Sequence, residues 1–338
     1  MTHPMRLESR RHGLSMATTS TAFADAARSV CLALPTTDDP LRVEPQSAPE
    51  DCDLTVDERT AINELRSLIA ADETNWSEGA RREAASHADD FTLMRFNRAR
   101  PDSTSAALQM YREAMTYRSE HEINKLFREL HPLAPKPWSA RQKARHAHYF
   151  CGFGGFDRDG APYFVMRVGQ ADLGGFSRNP NLLELMMEAD ACSMEMIFRS
   201  VRAGSAATGK FVRARIVVDL TGFSMSTMRH VMIIKQVMKV GPNVFPEGAS
   251  KVLIVNAPRV FAAAWRIVSP WLPQRSRDKC SLVSCRATPA ALDEIIAPEQ
   301  LPKFLGGTQE ESLVALAERV PAEGVMGLDG EVGVVAIS

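Results

Sequence analysis

The sequence predicts an α/β fold in which an N-terminal helical subdomain precedes a mixed or largely parallel sheet with crossover helices. Three observations predict it. Up to Arg118, apolar residues recur at helical spacing with short breaks, beginning with Val56, Ile62, Leu65, Leu68 and Ile69. From His148 onward, short β-branched or aromatic runs alternate with longer helical stretches, the pattern of strands joined by crossover helices. Between the two blocks lies the proline-rich segment His131–Trp138 (HPLAPKPW), which reads as a linker.

The chain divides accordingly into 1–53, 54–131, 139–308 and 309–338. Residues 1–53 are poor in aromatics and become proline- and acid-rich from Pro35, so they are expected to stay disordered. Only Glu8 and Asp25 are acidic in the first thirty residues, which also fits an organelle-targeting segment. Helices are expected at Asp57–Ala71, Glu78–His87, Asp89–Ala99 and Ser103–Arg118, the last capped by Asp102 or Ser103. Strands are expected at His148–Phe153, Tyr163–Val168, Val212–Leu220, Lys251–Val255 and Cys280–Cys285. Helices between them are expected at Asn181–Ala203, Ser226–Val240 and Val260–Leu272. Glu310–Val320 reads as a final helix, and Val325–Ser338 as a tail that forms a strand or hairpin.

A chain of 338 residues with 45% hydrophobic content can build a sizeable core. A net charge of -1 excludes a general nucleic-acid binder, so any anion site must be local. No run reaches the roughly 18 to 20 apolar residues of a membrane span, and membrane contact should be peripheral and reversible. The six cysteines are scattered without a secretory apolar segment before them, which predicts reduced thiols and a cytoplasmic setting.

The most informative stretch is Phe245–Leu272. Lys251–Val255 (KVLIV) has the composition of a buried strand, and Asn256 with Pro258 ends it. From Val260 to Leu272 only Arg266 and Ser269 are polar before Pro270, so this helix is apolar nearly all round. Such a helix is buried on every side or meets lipid. It reads either as a core helix or as a hydrophobic lid over a cavity.

Five motifs, in order, resemble those of the CRAL-TRIO family, which includes phosphatidylinositol-transfer proteins and the tocopherol- and retinaldehyde-binding proteins. They are Arg95–Arg100 (RFNRAR), Asp157–Pro162 (DRDGAP), Asp219–Ser224 (DLTGFS), the Phe245–Leu272 stretch followed by Lys279, and Leu301–Gly307 (LPKFLGG). The resemblance implies a sheet and crossover helices enclosing an apolar lipid cavity. It further implies that Glu247 and Lys279 contact an inositol headgroup and that Arg100 lies near the phosphate. A carboxylate accepts from ring hydroxyls, and an ammonium neutralises a phosphate oxygen. Read without the resemblance, Glu247 and Lys279 form a strand-end ion pair. Arg95 and Arg98 are expected on a solvated helix face.

The resemblance also places Ser224 and Ser226 at the headgroup end of the cavity, although capping of the following helix is the preferred reading of Ser224. Phe164 aligns where phosphatidylcholine-binding members carry tyrosine. Met228 and Met232 belong to a thioether-rich helix suited to an irregular core or to acyl chains. Val260, Phe261, Trp265, Val268, Trp271 and Leu272 would form the cavity wall and gate. Three departures weaken inositol specificity: Pro101 and Gly248 stand where inositol-lipid binders carry cations, and Leu272-Pro273-Gln274-Arg275-Ser276 stands where they carry LDP-x-T. Arg275 or Arg277 is available to replace one of them.

Other chemistry finds little support. Gly152–Gly160 (GFGGFDRDG) has a loose dinucleotide-loop spacing, but no long helix follows, and a turn at Asp159-Gly160 explains it. His146, His148 and Cys151 are expected at alternate places of a strand start rather than around a metal. No G-x-S-x-G elbow is present. The expected function is non-enzymatic lipid binding and transfer, with phosphatidylinositol as first ligand, no cofactor beyond the bound lipid, transient membrane contact, no nucleic acid and a monomeric state. Alternatives are a membrane or partner docking module, or a carrier of another hydrophobic molecule of the tocopherol, retinoid or sterol class.

Overall fold

The structure, a computed structural model, describes residues 48, 52–131, 137–237 and 241–309. The helical block contains α1 (Val56–Asp72), α2 (Glu78–Ser86), α3 (Asp90–Ala99), α4 (Thr104–Glu120) and α5 (Ile123–Leu130). Side-chain oxygens start three of them: Ser77 accepts from the Ala80 amide, Asp89 from Thr92 and Ser103 from Ala106. The short α5 is absent from the sequence-based expectation, yet its Ile123, Leu126, Phe127 and Leu130 form one buried face at helical spacing.

Next comes α6 (Ala140–His148), opened by a capping box between Ser139 and Gln142. His146 and His148 therefore stand in the last turn of a helix, not at a strand start. The expectation fails because Ala140–His148 (ARQKARHAH) carries no apolar stripe to advertise its helix. The first strand, β1 (Cys151–Phe156), pairs antiparallel with β2 (Pro162–Met166). Between them the Gly160 amide donates to the Asp157 carbonyl at 3.0 Å, and Gly160 takes φ 80°, as a tight turn requires. Gly154 is obligatory for another reason: a Cβ there would lie 2.1 Å from the Tyr163 ring.

Two helices, α7 (Leu173–Arg178) and the 29-residue α8 (Pro180–Thr208), lead to β3 (Ala214–Asp219). Short helices α9 (Met225–Met228), α10 (Met232–Val237) and α11 (Gly241–Val244) lead to β4 (Ala249–Ala257). Then follow α12 (Phe261–Val268), α13 (Gln274–Asp278), β5 (Cys280–Ser284) and α14 (Thr288–Asp293). The sheet order is β1-β2-β3-β4-β5, with β2 through β5 parallel. In register, Ile216 faces Val252 and Ile254 faces Leu282.

Alternation along the strands gives the sheet two apolar faces. Tyr163, Val165, Val217, Leu253 and Val255 pack under Leu292, Ile296, Leu301 and Leu305. On the other face Ile216 packs with the α8 residues Cys192, Met196 and Val201, and Ile254 packs with Phe261, Ala264 and Val268 of α12. Burying each of these branched side chains contributes about 1.5–3 kcal/mol, so the coverage of both faces dominates the sheet's stability.

Two helices differ from expectation. The predicted helix Ser226–Val240 is broken after α9, where the His230, Val231, Ile233 and Ile234 amides each bond three residues back. The cluster of β-branched residues Val231, Ile233 and Ile234 is weakly helix-forming, which fits the tightened turns. The predicted helix Val260–Leu272 stops as an α-helix at Val268, and Ser269–Trp271 forms one 3₁₀ turn. Pro270 lacks the amide that would continue the ladder. Nor is α12 buried all round: Phe261, Ala264 and Val268 face inward, whereas Ala262, Ala263 and Ile267 are exposed.

Outside the described residues lie nearly all of 1–53, residues 132–136 of the linker, the end of the Ser226–Val240 prediction and everything after Gln309. The expectations of a disordered or targeting N-terminus, a final helix and a terminal strand or hairpin fall there. The five described cysteines are free thiols.

Candidate ligand-binding site

The sheet face shared by α8 and α12 is not filled completely. Two adjoining recesses open over it, of about 440 Å³ and about 280 Å³. Met166, Val218 and Val252 floor both, while Met194 of α8 and Leu272 close them from the sides. Both volumes are close to or within the range of small-molecule pockets, roughly 300–1,000 Å³.

At the mouth of the larger recess stand Arg100, Glu247, Arg275 and Lys279. Glu247 precedes β4 and Lys279 precedes β5, so adjacent parallel strands bring them to one rim. Lys279 Nζ donates to Glu247 Oε2 at 3.0 Å. Arg213 lies 3.5 Å from the same oxygen, and Arg275 lies 3.8 Å from Oε1. Burial pushes the Glu247 carboxyl up, but the Lys279 hydrogen bond and the surrounding cations outweigh it and hold the pKa below its ordinary value. The rim is thus an ionised carboxylate among cations, able to accept from hydroxyls and to receive a phosphate.

Glu247 itself sits in the left-handed backbone region at φ 51°, unfavourable for a residue with a Cβ. Arg95 holds it there. Its Nη1 donates to the Glu247 carbonyl at 2.7 Å, and its Nη2 donates to the Val212 carbonyl at 2.6 Å. Arg95 is fully buried and carries a pKa lowered to about 9 by desolvation. This corrects the expectation of a solvated face. Helix α3 is enclosed on all sides from Asp90 to Asn97, and backbone carbonyls replace water around the guanidinium. Arg98 is not free in solvent either: it pairs with Glu58 at 2.6 Å and lies over the Phe211 ring.

The residues of the expected gate divide. Phe261, Trp265, Val268 and Leu272 line the smaller recess. Val260 and Trp271 pack partly buried beside them, with Lys235 over the Trp271 ring. Met228 joins the same cluster, but Met232 is 55% exposed and lines neither recess. Ser224 and Ser226 do not reach the rim: they are exposed, their hydroxyls lie 2.7 Å apart, and Ser224 caps α9. Phe164 is fully buried against Phe153 and likewise lines neither recess. Its position on the helix-covered face is occupied by α5 and α8 before the recess begins.

Sequence reasoning overlooks Arg213, which differs in no local way from Arg215 two residues on, and the buried pair Asp190 and Tyr149. Asp190 carried no local signal, standing in the sequence between Glu188 and Ser193. Burial raises its pKa to about 6 against the hydrogen bond from Tyr149. Because the folded pKa exceeds the unfolded one, protonation favours folding, and stability falls as pH rises from about 4 to 6. Asp190→Asn should therefore gain roughly 2–3 kcal/mol relative to the native chain at pH 7.5, and little at pH 4, in urea titrations. An equal effect at both pH values would contradict this.

Residues 146–307 match the CRAL/TRIO domain. The chain is 28% identical over 232 residues to protein real-time of Aedes aegypti, spanning 64% of this chain and 33% of that protein. It is 28% identical over 230 residues to SEC14 cytosolic factor of Kluyveromyces lactis, spanning 66% and 72%. With the phosphatidylinositol/phosphatidylcholine transfer protein SFH9 of Arabidopsis thaliana it shares 25% identity, spanning 65% and 37%. The chain thus spans about a third of the length of the real-time proteins it matches. The crystal structure of Sfh5 superposes with a TM-score of 0.52 at 14% identity, covering 78% of this chain and 92% of that one, and so shares the fold.

Proposed function

Because this chain belongs to the CRAL/TRIO domain family, we propose that it binds a lipid in the two adjoining recesses and transfers it between membranes, with phosphatidylinositol as first ligand. The observation that carries this reading is the mouth of the larger recess, where Glu247, Lys279, Arg275 and Arg100 stand above an apolar floor. Inositol hydroxyls would donate to Glu247, and the phosphate would sit against Lys279 and Arg275. These contacts are charge-assisted and therefore strong. Arg213 and Arg275 supply cations near the rim although Pro101 and Gly248 do not.

Transfer needs no bond chemistry, only a wall that opens onto a bilayer, and α12 with the turn to Leu272 is that wall. Contact with the membrane is peripheral: among the described residues no helix is long and apolar enough to cross one. The bound lipid is the sole ligand of this reading, in which the chain acts as a non-enzymatic, cytoplasmic monomer.

Glu247→Ala with Lys279→Ala tests it. Purified protein is incubated with mixed phosphatidylinositol and phosphatidylcholine vesicles, re-isolated, and its lipid identified by mass spectrometry. Phosphatidylinositol capture should fall at least tenfold relative to phosphatidylcholine, the equivalent of about 1.4 kcal/mol. An unchanged ratio removes the headgroup assignment, and tight vesicle binding without any captured lipid would favour a docking module.

A further inference from the structure

We propose that the chain carries a second anion site, which binds a phosphate monoester on the face of the sheet turned away from the lipid recesses. Arg215 of β3 is the register partner of Lys251 in β4, and the register that sets Val252 beside Cys280 sets Lys251 beside Lys279. Three cations therefore stand in one row across neighbouring strands, whose backbones lie about 4.8 Å apart. Arg215 and Lys251 alternate with Ile216 and Val252, which line the larger recess, so they project from the opposite face. An open recess of about 600 Å³ lies there, bounded by this row together with Arg275 and Ser281. Arg215, Lys251 and Ser281 line neither lipid recess.

Like charges at neighbouring positions of adjacent strands repel, so such a row calls for anions. Its two ends have them. Asp157 and Asp159 hold Arg215 from the turn between β1 and β2, and Glu247 holds Lys279 at 3.0 Å from the lipid side. Lys251, in the middle, pairs with no carboxylate among the described residues. Arg275 comes only within 3.8 Å of Glu247, and its side chain is 53% exposed. One acid, Asp278, belongs to the lining, where it accepts from Gln274 at 2.6 Å.

A phosphate monoester answers this arrangement. It presents three terminal oxygens and close to two negative charges, enough to engage Lys251, Arg275 and the Ser281 hydroxyl together. A phosphodiester or a carboxylate brings two such oxygens and a single charge, and so leaves part of the row uncompensated. Ser250 adds no donor, because its hydroxyl already donates to the Ala214 carbonyl at 3.0 Å. Arg275 and Lys279 belong to both this recess and the larger lipid recess, which makes the bound phosphate a neighbour of the lipid headgroup.

Phosphate monoesters occur on soluble molecules and on lipid headgroups, and two experiments on the full chain separate the sources. Calorimetric titration compares inorganic phosphate with dimethyl phosphate, a diester. Sedimentation compares phosphatidylcholine vesicles containing phosphatidic acid, a monoester, with vesicles containing phosphatidylglycerol, a diester. In at least one pair the native protein should prefer the unesterified or monoester phosphate at least tenfold, and Lys251→Met should shrink that preference below threefold. A preference in solution assigns a soluble phosphate, and a preference on vesicles alone assigns a lipid phosphate. Equal binding within both pairs overturns the proposal, as does an unchanged preference in a folded Lys251→Met. Should Lys251→Met fail to fold, the comparison in the native protein still decides. Lys251 lies outside both lipid recesses and no inositol lipid is present, so failure here leaves the headgroup assignment untouched, and failure of that assignment leaves this result standing.

Discussion

Replacing Glu195 by leucine should lower the stability of the folded chain by about 3–5 kcal/mol, the cost of removing one partner from a buried ion network. Glu195 projects from α8 with no exposed surface. Arg118 of α4 grips it with both terminal nitrogens, at 2.8 Å and 2.9 Å, and Arg199 donates to it at 2.5 Å. The variant leaves two cations buried. Arg118 would keep only Glu83, at 3.0 Å, and Arg199 would keep Asn124, at 2.6 Å. Because Arg118 belongs to the helical block and Glu195 to the crossover helix of the sheet, the network ties the two parts together.

The network also sets a pH dependence. Burial pushes the Glu195 carboxyl up, but Arg118 and Arg199 outweigh it and bring it to about 2 from an ordinary 4.5. A depressed carboxylate contributes fully above its unfolded pKa, so this stabilisation is lost as pH falls from about 4.5 to 2. Urea midpoints for the native chain and Glu195→Leu at pH 7 and pH 3 measure both effects. A difference under about 1 kcal/mol at pH 7 would place the junction's stability in its apolar contacts instead.

Trp265→Asp combined with Ile267→Asp should slow lipid exchange at least tenfold while the protein stays folded. Ile267 is 40% exposed and Trp265 is partly buried along the recess, so the pair spans the outer and inner sides of α12. An apolar side chain entering a bilayer gains about 1.5–3 kcal/mol, and an aspartate forfeits that gain, so losing even one such contact exceeds the 1.4 kcal/mol of a tenfold effect. Phe261 is the wrong place for this test, although the sequence nominates it. It is 5% exposed and meets the Phe223 ring edge-on at 5.1 Å, so a charge there would unseat the helix. Exchange of a fluorescent phospholipid between donor and acceptor vesicles reads the result, and unaltered rates in the folded variant would remove α12 from the gate.

What could be read from the chain was whatever depends on near neighbours in sequence. Strand and helix alternation, the cap at Ser103, and the turn at Gly160 follow from local sterics and hydrogen bonding. Even the meeting of Glu247 with Lys279 was legible, because each precedes one of two consecutive parallel strands. Arg95 and Asp190 were not: no local pattern says whether a charged residue on a helix faces water, and only the packing of α3 and α8 decided that both are buried. The same holds for α12, whose composition alone marks it as apolar, while its packing against Ile254 and Phe223 decides which side is covered and which is left exposed. Secondary structure is a short-range property of the backbone, whereas burial is set by surfaces far apart in the chain; the first was written in this sequence, and the second exists only once the chain has closed on itself.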